Sequence, residues 1–217
     1  MLQGINLYKS YGTLQVLKGI DLTIQQGEIV SIVGASGAGK STLLHILGTL
    51  DIADKGEVIF KDQLIKSLNN TDLARFRNQH IGFIFQFHNL LPEFTALENV
   101  CLPGFLANSP EEKVKKRATD LLTMLNLGHR LEHKPSQMSG GEQQRTAVAR
   151  ALINSPEIIF ADEPSGNLDS ANAQELHEIF FRLRAELNQT FVIVTHNDQL
   201  ANMADRKVVM KDGYLVS

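Results

Sequence analysis

Gly34-Ala35-Ser36-Gly37-Ala38-Gly39-Lys40-Ser41 lies between the apolar run Glu28 to Val33 and a segment, Ser41 to Leu50, that carries Leu43, Leu44 and Leu47 on one side. The spacing matches G-x-x-x-x-G-K-[ST] throughout. A strand that ends in a glycine loop and restarts as a helix aims backbone N–H groups and the positive helix end at one spot, which makes a cradle for phosphate. Lys40 is placed to reach the β- and γ-phosphates of a nucleotide and the Ser41 hydroxyl to ligate Mg²⁺. The nucleotide-binding set runs on to Thr42.

Outward from this loop, Leu17 to Ile24 and Glu28 to Val33 read as strands joined by the turn Gln25-Gln26-Gly27. Gly56 to Phe60 and Ile81 to Phe85 read as further strands, with a polar helical stretch around Thr71 to Asn78 between them. Pro110 to Leu127 opens with Pro-Glu-Glu and sets Val114, Ala118, Leu121, Leu122 and Leu125 on one face, so it reads as a helix. Its Lys113, Lys115, Lys116 and Arg117 read as a solvated face. Glu142 to Leu152 and Ala173 to Leu187 read as helices, and Ile158 to Ala161 and Phe191 to Val194 as buried strands. This alternation predicts an α/β fold with a largely parallel sheet covered by helices.

The composition narrows the function. The 217 residues are 43% hydrophobic and 21% charged with no low-complexity tract, which fits a folded globular enzyme. A formal charge of -3 gives no basic footprint for nucleic acid. Cys101 is the only cysteine, so neither an internal disulfide nor a thiolate cluster is available, which fits a reducing compartment. The start, Met1 to Asn6, lacks the features of a signal peptide, and no stretch approaches a membrane span. Work at a membrane would then go through a partner.

Two more segments carry chemistry. Ile158-Ile159-Phe160-Ala161 followed by Asp162-Glu163 is a buried strand ending in adjacent carboxylates, and such charges need partners. Asp162 is suited to hold Mg²⁺ through its water shell, and Glu163, pointing the other way, to accept a proton from an attacking water. Ser139-Gly140-Gly141 leads straight into a helix and forms a second anion-binding start. A helical region separates it from Lys40, so the pattern favours a site completed by a second copy.

The phosphate loop, Ser139-Gly140-Gly141, Asp162-Glu163 and Thr195-His196, in this order, resemble an ATP-binding-cassette (ABC) ATPase over essentially the whole chain. The resemblance implies a P-loop NTPase cassette with a RecA-like core sheet, an N-terminal antiparallel β region and a helical subdomain. Residues 1–86 and 155–217 would form the core and about 87–154 the helical part. It also implies that two cassettes sandwich ATP head to tail, with Ser139 and Gly141 on the γ-phosphate held by the other copy's Lys40. By the same resemblance Tyr11 stacks on adenine, Gln86 senses Mg²⁺ and links to the transporter, Asp169 belongs to the loop crossing the dimer, and His196 contacts the γ-phosphate. Met138 and Glu142 depart from the commoner leucine and glutamine. Both Glu163 and His196 are present, so an active ATPase is expected.

The run Phe85-Gln86-Phe87-His88-Asn89-Leu90-Leu91-Pro92-Glu93-Phe94-Thr95-Ala96 resembles the lipoprotein-releasing cassettes. That group also holds macrolide-export and cell-division cassettes, which remain the rivals for cargo. The resemblance implies a peripheral homodimer on the cytoplasmic face of a bacterial inner membrane, bound to two integral permease subunits that release lipoproteins to a periplasmic carrier. The run's apolar residues either pack the helical region or form a groove for a membrane-subunit helix. Cassettes acting on DNA or ribosomes fit poorly, since no long insertion and no second copy of the motifs is present.

Overall fold

The computed structural model describes residues 1–216. Strands β1 (Leu2–Tyr11), β2 (Leu14–Ile24), β4 (Lys55–Phe60) and β5 (Gln63–Leu64) form an antiparallel sheet in the order β2-β1-β4-β5. A second sheet runs β10-β9-β3-β8-β7-β6. Its members are β3 (Ile29–Val33), β6 (Ile81–Phe85), β7 (Ile158–Asp162), β8 (Thr190–Val194), β9 (Arg206–Lys211) and β10 (Tyr214–Leu215). All its pairings are parallel except β9 with β10. The strands either side of Gln25-Gln26-Gly27 therefore belong to different sheets, and the turn hands the chain from one to the other.

Among the described residues, seven α-helices complete the fold: α1 (Lys40–Leu47), α2 (Asn70–His80), α3 (Ala96–Leu106), α4 (Glu111–Met124), α5 (Gly140–Leu152), α6 (Ser170–Leu187) and α7 (Asp198–Met203). Alternate residues of the parallel strands face opposite ways, so the sheet divides two cores. Ile84, Ile159, Ala161, Phe191 and Ile193 pack with apolar residues of α3 to α6. Ile32, Ile158, Phe160, Val192 and Val194 pack on the other side with α1 and the antiparallel sheet. Lys113, Lys115 and Lys116 are exposed, as a solvated face requires. Arg117 is exposed as well, and it also donates to the Ile153 and Leu152 carbonyls and the Ser155 hydroxyl, tying down the end of α5.

Register places the site. Ile32, Val194, Asp162 and Phe85 stand in one row across β3, β8, β7 and β6. The residues that follow, Val33, Thr195, Glu163 and Gln86, leave the sheet at its carboxyl edge. From β3 the chain runs toward β6 at one edge, whereas from β8, its neighbour, it runs on to β9 at the opposite side. That divergence opens the crevice in which α/β proteins bind ligands.

Candidate active site

The glycine loop opens from β3 into this crevice. At Gly34 a Cβ would lie 2.1 Å from the Met210 carbonyl oxygen of β9, with φ 150°, so only glycine lets the loop pass. A Cβ added at Gly37, φ 79°, would meet nothing within 4 Å, so the mouth of the loop is open. Lys40 is buried and its Nζ donates to the carbonyls of Gly34 (2.9 Å) and Ala35 (3.0 Å). The ammonium is thus folded back over its own loop, aimed at the space that the loop surrounds.

Among these seven helices, α1 alone has neither a side-chain cap nor an acidic residue in its first turn. Its unpaired N–H groups and positive end are left for an anion from outside the chain. Ser41 Oγ donates to Asp162 Oδ1 at 3.0 Å, and Asp162 Oδ2 lies 3.7 Å from His45 Nε2. A hydroxyl beside a carboxylate at the phosphate loop is a hard-oxygen set, and it fits Mg²⁺.

Glu163 turns away from that pair. Its φ of 47° is left-handed, and its N–H donates to Val194 O at 2.9 Å. The carboxylate is mostly buried: Oε2 accepts from the His196 N–H at 3.2 Å, and Oε1 is 2.8 Å from His196 Nδ1. Burial raises the Glu163 pKa above the usual glutamate range, with His196 and Lys40 opposing the shift and Asp162 adding to it. His196 is itself 72% exposed at the side chain, so it faces whatever enters the crevice.

Gln86 lies one position past the shared row. Its side-chain amide donates to Asn167 Oδ1 at 3.0 Å, and Asn167 Nδ2 donates back to Gln86 O at 3.3 Å. In this structure the amide is engaged by Asn167 and not by Ser41 or Asp162. Asp169 caps α6 through Asn172, 2.9 Å from its backbone N and 2.6 Å from its Nδ2. Ser165, between Glu163 and Asp169, is held by His177 Nε2 at 3.2 Å. Burial keeps His177 below the usual histidine range, and its Nδ1 has no partner among the described residues.

Tyr11 ends β1 and is 52% exposed as a residue, its hydroxyl donating to Asp51 Oδ2 at 2.6 Å and the Lys9 ammonium 5.2 Å from the ring centroid. The hydrogen bond to Asp51 raises the tyrosine pKa first, and burial adds to it. Ser139 and Gly140 are exposed at the start of α5. The Ser139 hydroxyl accepts from Glu142 N, and Glu142 Oε2 accepts from Ser139 N at 2.8 Å, a closed capping box. Among the described residues no hydrogen bond joins residues 139–141 to the loop at 34–41. The chain brings together Lys40, Ser41, Asp162, Glu163 and His196, and leaves Ser139, Gly140 and Gly141 outside that group.

A family model described as "ABC transporter" matches residues 17–166. The chain belongs to the ABC transporter family. A protein of Cytophaga hutchinsonii described as "Lipoprotein-releasing system ATP-binding protein LolD" is 63% identical, with 100% of this chain and 99% of the relative covered. Proteins of Bacteroides fragilis and Porphyromonas gingivalis with the same description are 57% and 58% identical, again over 99% of each relative. Among solved structures, the dimeric post-hydrolysis ATP-binding cassette MJ0796 bound to ADP and Pi has a TM-score of 0.92 at 40% identity, covering 100% of this chain and 97% of that one. The ABC cassette fold, with its parallel core sheet, antiparallel β region and helices, is the one the motifs implied, and the chain is an ATPase of that family.

Sequence reasoning passed over Gln144, His45, Asp51 and the Ser165–His177 pair. Only Gln144 had a signal: it shares the stripe of Ala147, Val148, Ala151 and Leu152 at helical spacing, a polar residue on an apolar face. The others are brought to the site by tertiary packing.

Proposed function

We propose that this ABC cassette is the ATP-hydrolysing subunit of a lipoprotein-releasing transporter. Two copies bind Mg·ATP head to tail and press on two integral permease subunits at the cytoplasmic face of the bacterial inner membrane. The permeases pass lipoproteins bound for the outer membrane to a periplasmic carrier. The observation that carries the cargo is the 63% identity, end to end, to a lipoprotein-releasing ATP-binding protein. Among the described residues no helix is long and apolar enough to cross a membrane, consistent with a subunit that reaches the bilayer through partners.

Within the site, Lys40 and the uncapped start of α1 neutralise and orient the phosphates, with residues 34–42 as the cradle and Tyr11 as the exposed platform for the base. Ser41, Asp162 and Gln86 are the residues that would hold Mg²⁺, which would neutralise charge developing on the phosphates. Glu163 takes the proton of the attacking water, and the raised pKa of its buried carboxylate brings it closer to working pH. His196, hydrogen-bonded to Glu163, faces the transferred phosphate. Ser139, Gly140 and Gly141, with Asp169, meet the nucleotide held by the other copy. Among the described residues the Lys40 ammonium donates to loop carbonyls and the Ser139 hydroxyl pairs with Glu142, so the charge stabilisation is incomplete until two copies close.

Co-purification of the chain from membranes, with identification of the bound subunits, tests the cargo. Permeases of a lipoprotein-releasing system are expected; recovery of an unrelated permease pair overturns this reading and leaves the ATPase intact.

A further inference from the structure

Gln144 is fully buried on the second turn of α5. It occupies the stripe on which Ala147, Val148, Ala151 and Leu152 pack, where an apolar residue would be the ordinary occupant. Its Nε2 donates to Pro164 O at 2.6 Å and Phe85 O at 3.3 Å, while Oε1 has no partner among the described residues. A buried amide oxygen left unpaired costs stability that methionine, of similar length, would avoid. The two donated hydrogen bonds are what the amide supplies in return.

Their placement gives them a use. Phe85 ends β6 and immediately precedes Gln86, and Pro164 immediately follows Glu163 just past the end of the neighbouring strand β7. One amide therefore clamps the backbone beside both residues, and it does so from the helix that begins at Ser139-Gly140-Gly141. Further along the same helix Arg150 donates to His88 O at 2.8 Å and Asn89 O at 2.5 Å. His88 and Asn89 are both left-handed, φ 59° and 49°, so the segment after Gln86 is a bent one held from α5 as well.

We propose that Gln144 is a positioning residue that ties the placement of Gln86 and Glu163 to the orientation of α5. When α5 is drawn against the nucleotide of a second copy, the shift reaches the backbone beside Glu163 through this side chain. The proposal rests on the reading of Glu163 as the residue that activates water.

Gln144→Met removes both donors and keeps the length and burial, and Gln144→Leu gives the same test if the methionine variant does not fold. Each is measured in the assembled complex with its membrane subunits, beside Glu163→Gln. No hydrogen bond joins Gln144 to residues 34–41 among the described residues, so ATP affinity and KM are expected to stay at wild-type values. Displacement of a catalytic group by about 1 Å costs on the order of 10²-fold, and kcat is expected to fall by that order. Unchanged kcat in a folded Gln144 variant, with Glu163→Gln inactive, overturns the proposal and leaves the catalytic reading standing. Joint loss of ATP affinity and kcat, in step with a lowered melting temperature, overturns it in favour of a packing role. Wild-type turnover in Glu163→Gln removes the reading on which it rests.

Discussion

Glu163 pays twice for its position. A left-handed backbone costs a non-glycine residue about 1–3 kcal/mol, and burial opposes ionisation of its carboxylate. The conformation swings the carboxylate away from Asp162, so two adjacent acids face different partners: Ser41 and His45 for one, His196 for the other. The raised pKa fixes the direction of a pH effect. With Glu163 as the proposed proton acceptor, activity is expected to fall as pH drops through that pKa, with an acid limb above the range of an ordinary glutamate. A pH profile of kcat for the assembled complex checks this, and a limb within the ordinary glutamate range would show that burial does not govern the group. The placement of Lys40 and Ser41 at the turn from β3 into α1 was legible from motif spacing, because backbone geometry at such a loop depends on sequence neighbours. The His196 contact was not, since it joins two strand ends separated by a whole helix.

At the scale of elements, α5 shows how one side chain serves a terminus. Glu142 stands where glutamine is commoner, and its carboxylate accepts from Ser139 N at 2.8 Å and from Arg130 Nε at 2.7 Å. Burial pushes its pKa up, but the Ser139 N–H and the Arg130 guanidinium outweigh burial and hold it below the usual range. A depressed carboxylate contributes stability that is present above the unfolded pKa, about 4.3, and is lost as pH falls through the lower folded value. Glu142→Ala is expected to cost about 0.5–1.5 kcal/mol at neutral pH, as the Ser139 N–H and the Arg130 guanidinium lose their acceptor, and less as the pH drops below about 4. Urea melts of wild type and variant at both pH values measure the difference; equal losses at both would mean that the charge plays no part. Much of this level was readable in advance. The strands Ile81 to Phe85, Ile158 to Ala161 and Phe191 to Val194 are uninterrupted apolar runs, as buried parallel strands must be, and α4 to α6 follow their apolar stripes. β1 escaped because Gln3, Asn6 and Lys9 break its pattern, and α3 because the capping box Thr95 to Glu98 lies in a run read for its partner surface. The assignment of β2 and β3 to separate sheets has no local signature, since pairing with β1 and β8 is decided by tertiary contacts.

For the whole molecule the deciding quantity is what one copy lacks. Lys40, Ser41, Asp162, Glu163 and His196 converge on the crevice at the carboxyl edge of the sheet, while Ser139 and Gly140 are exposed at another helix start with no hydrogen bond to the loop. In the proposed head-to-tail pair the second copy supplies donors to the nucleotide, and the affinity between copies then depends on ATP being intact. Glu163→Gln keeps the side-chain shape and removes the proposed proton acceptor, a change expected to cost about 10²- to 10⁴-fold in rate. It leaves Lys40, Ser41 and the glycine loop untouched, so ATP binding persists and hydrolysis no longer releases the copies. The variant is expected to migrate as a dimer in size-exclusion chromatography with Mg·ATP and as a monomer with ADP, with Ser139→Ala added to the same chain weakening the dimer. A Glu163→Gln protein that binds ATP but stays monomeric at every concentration would mean that the exposed start of α5 meets something other than a second nucleotide site.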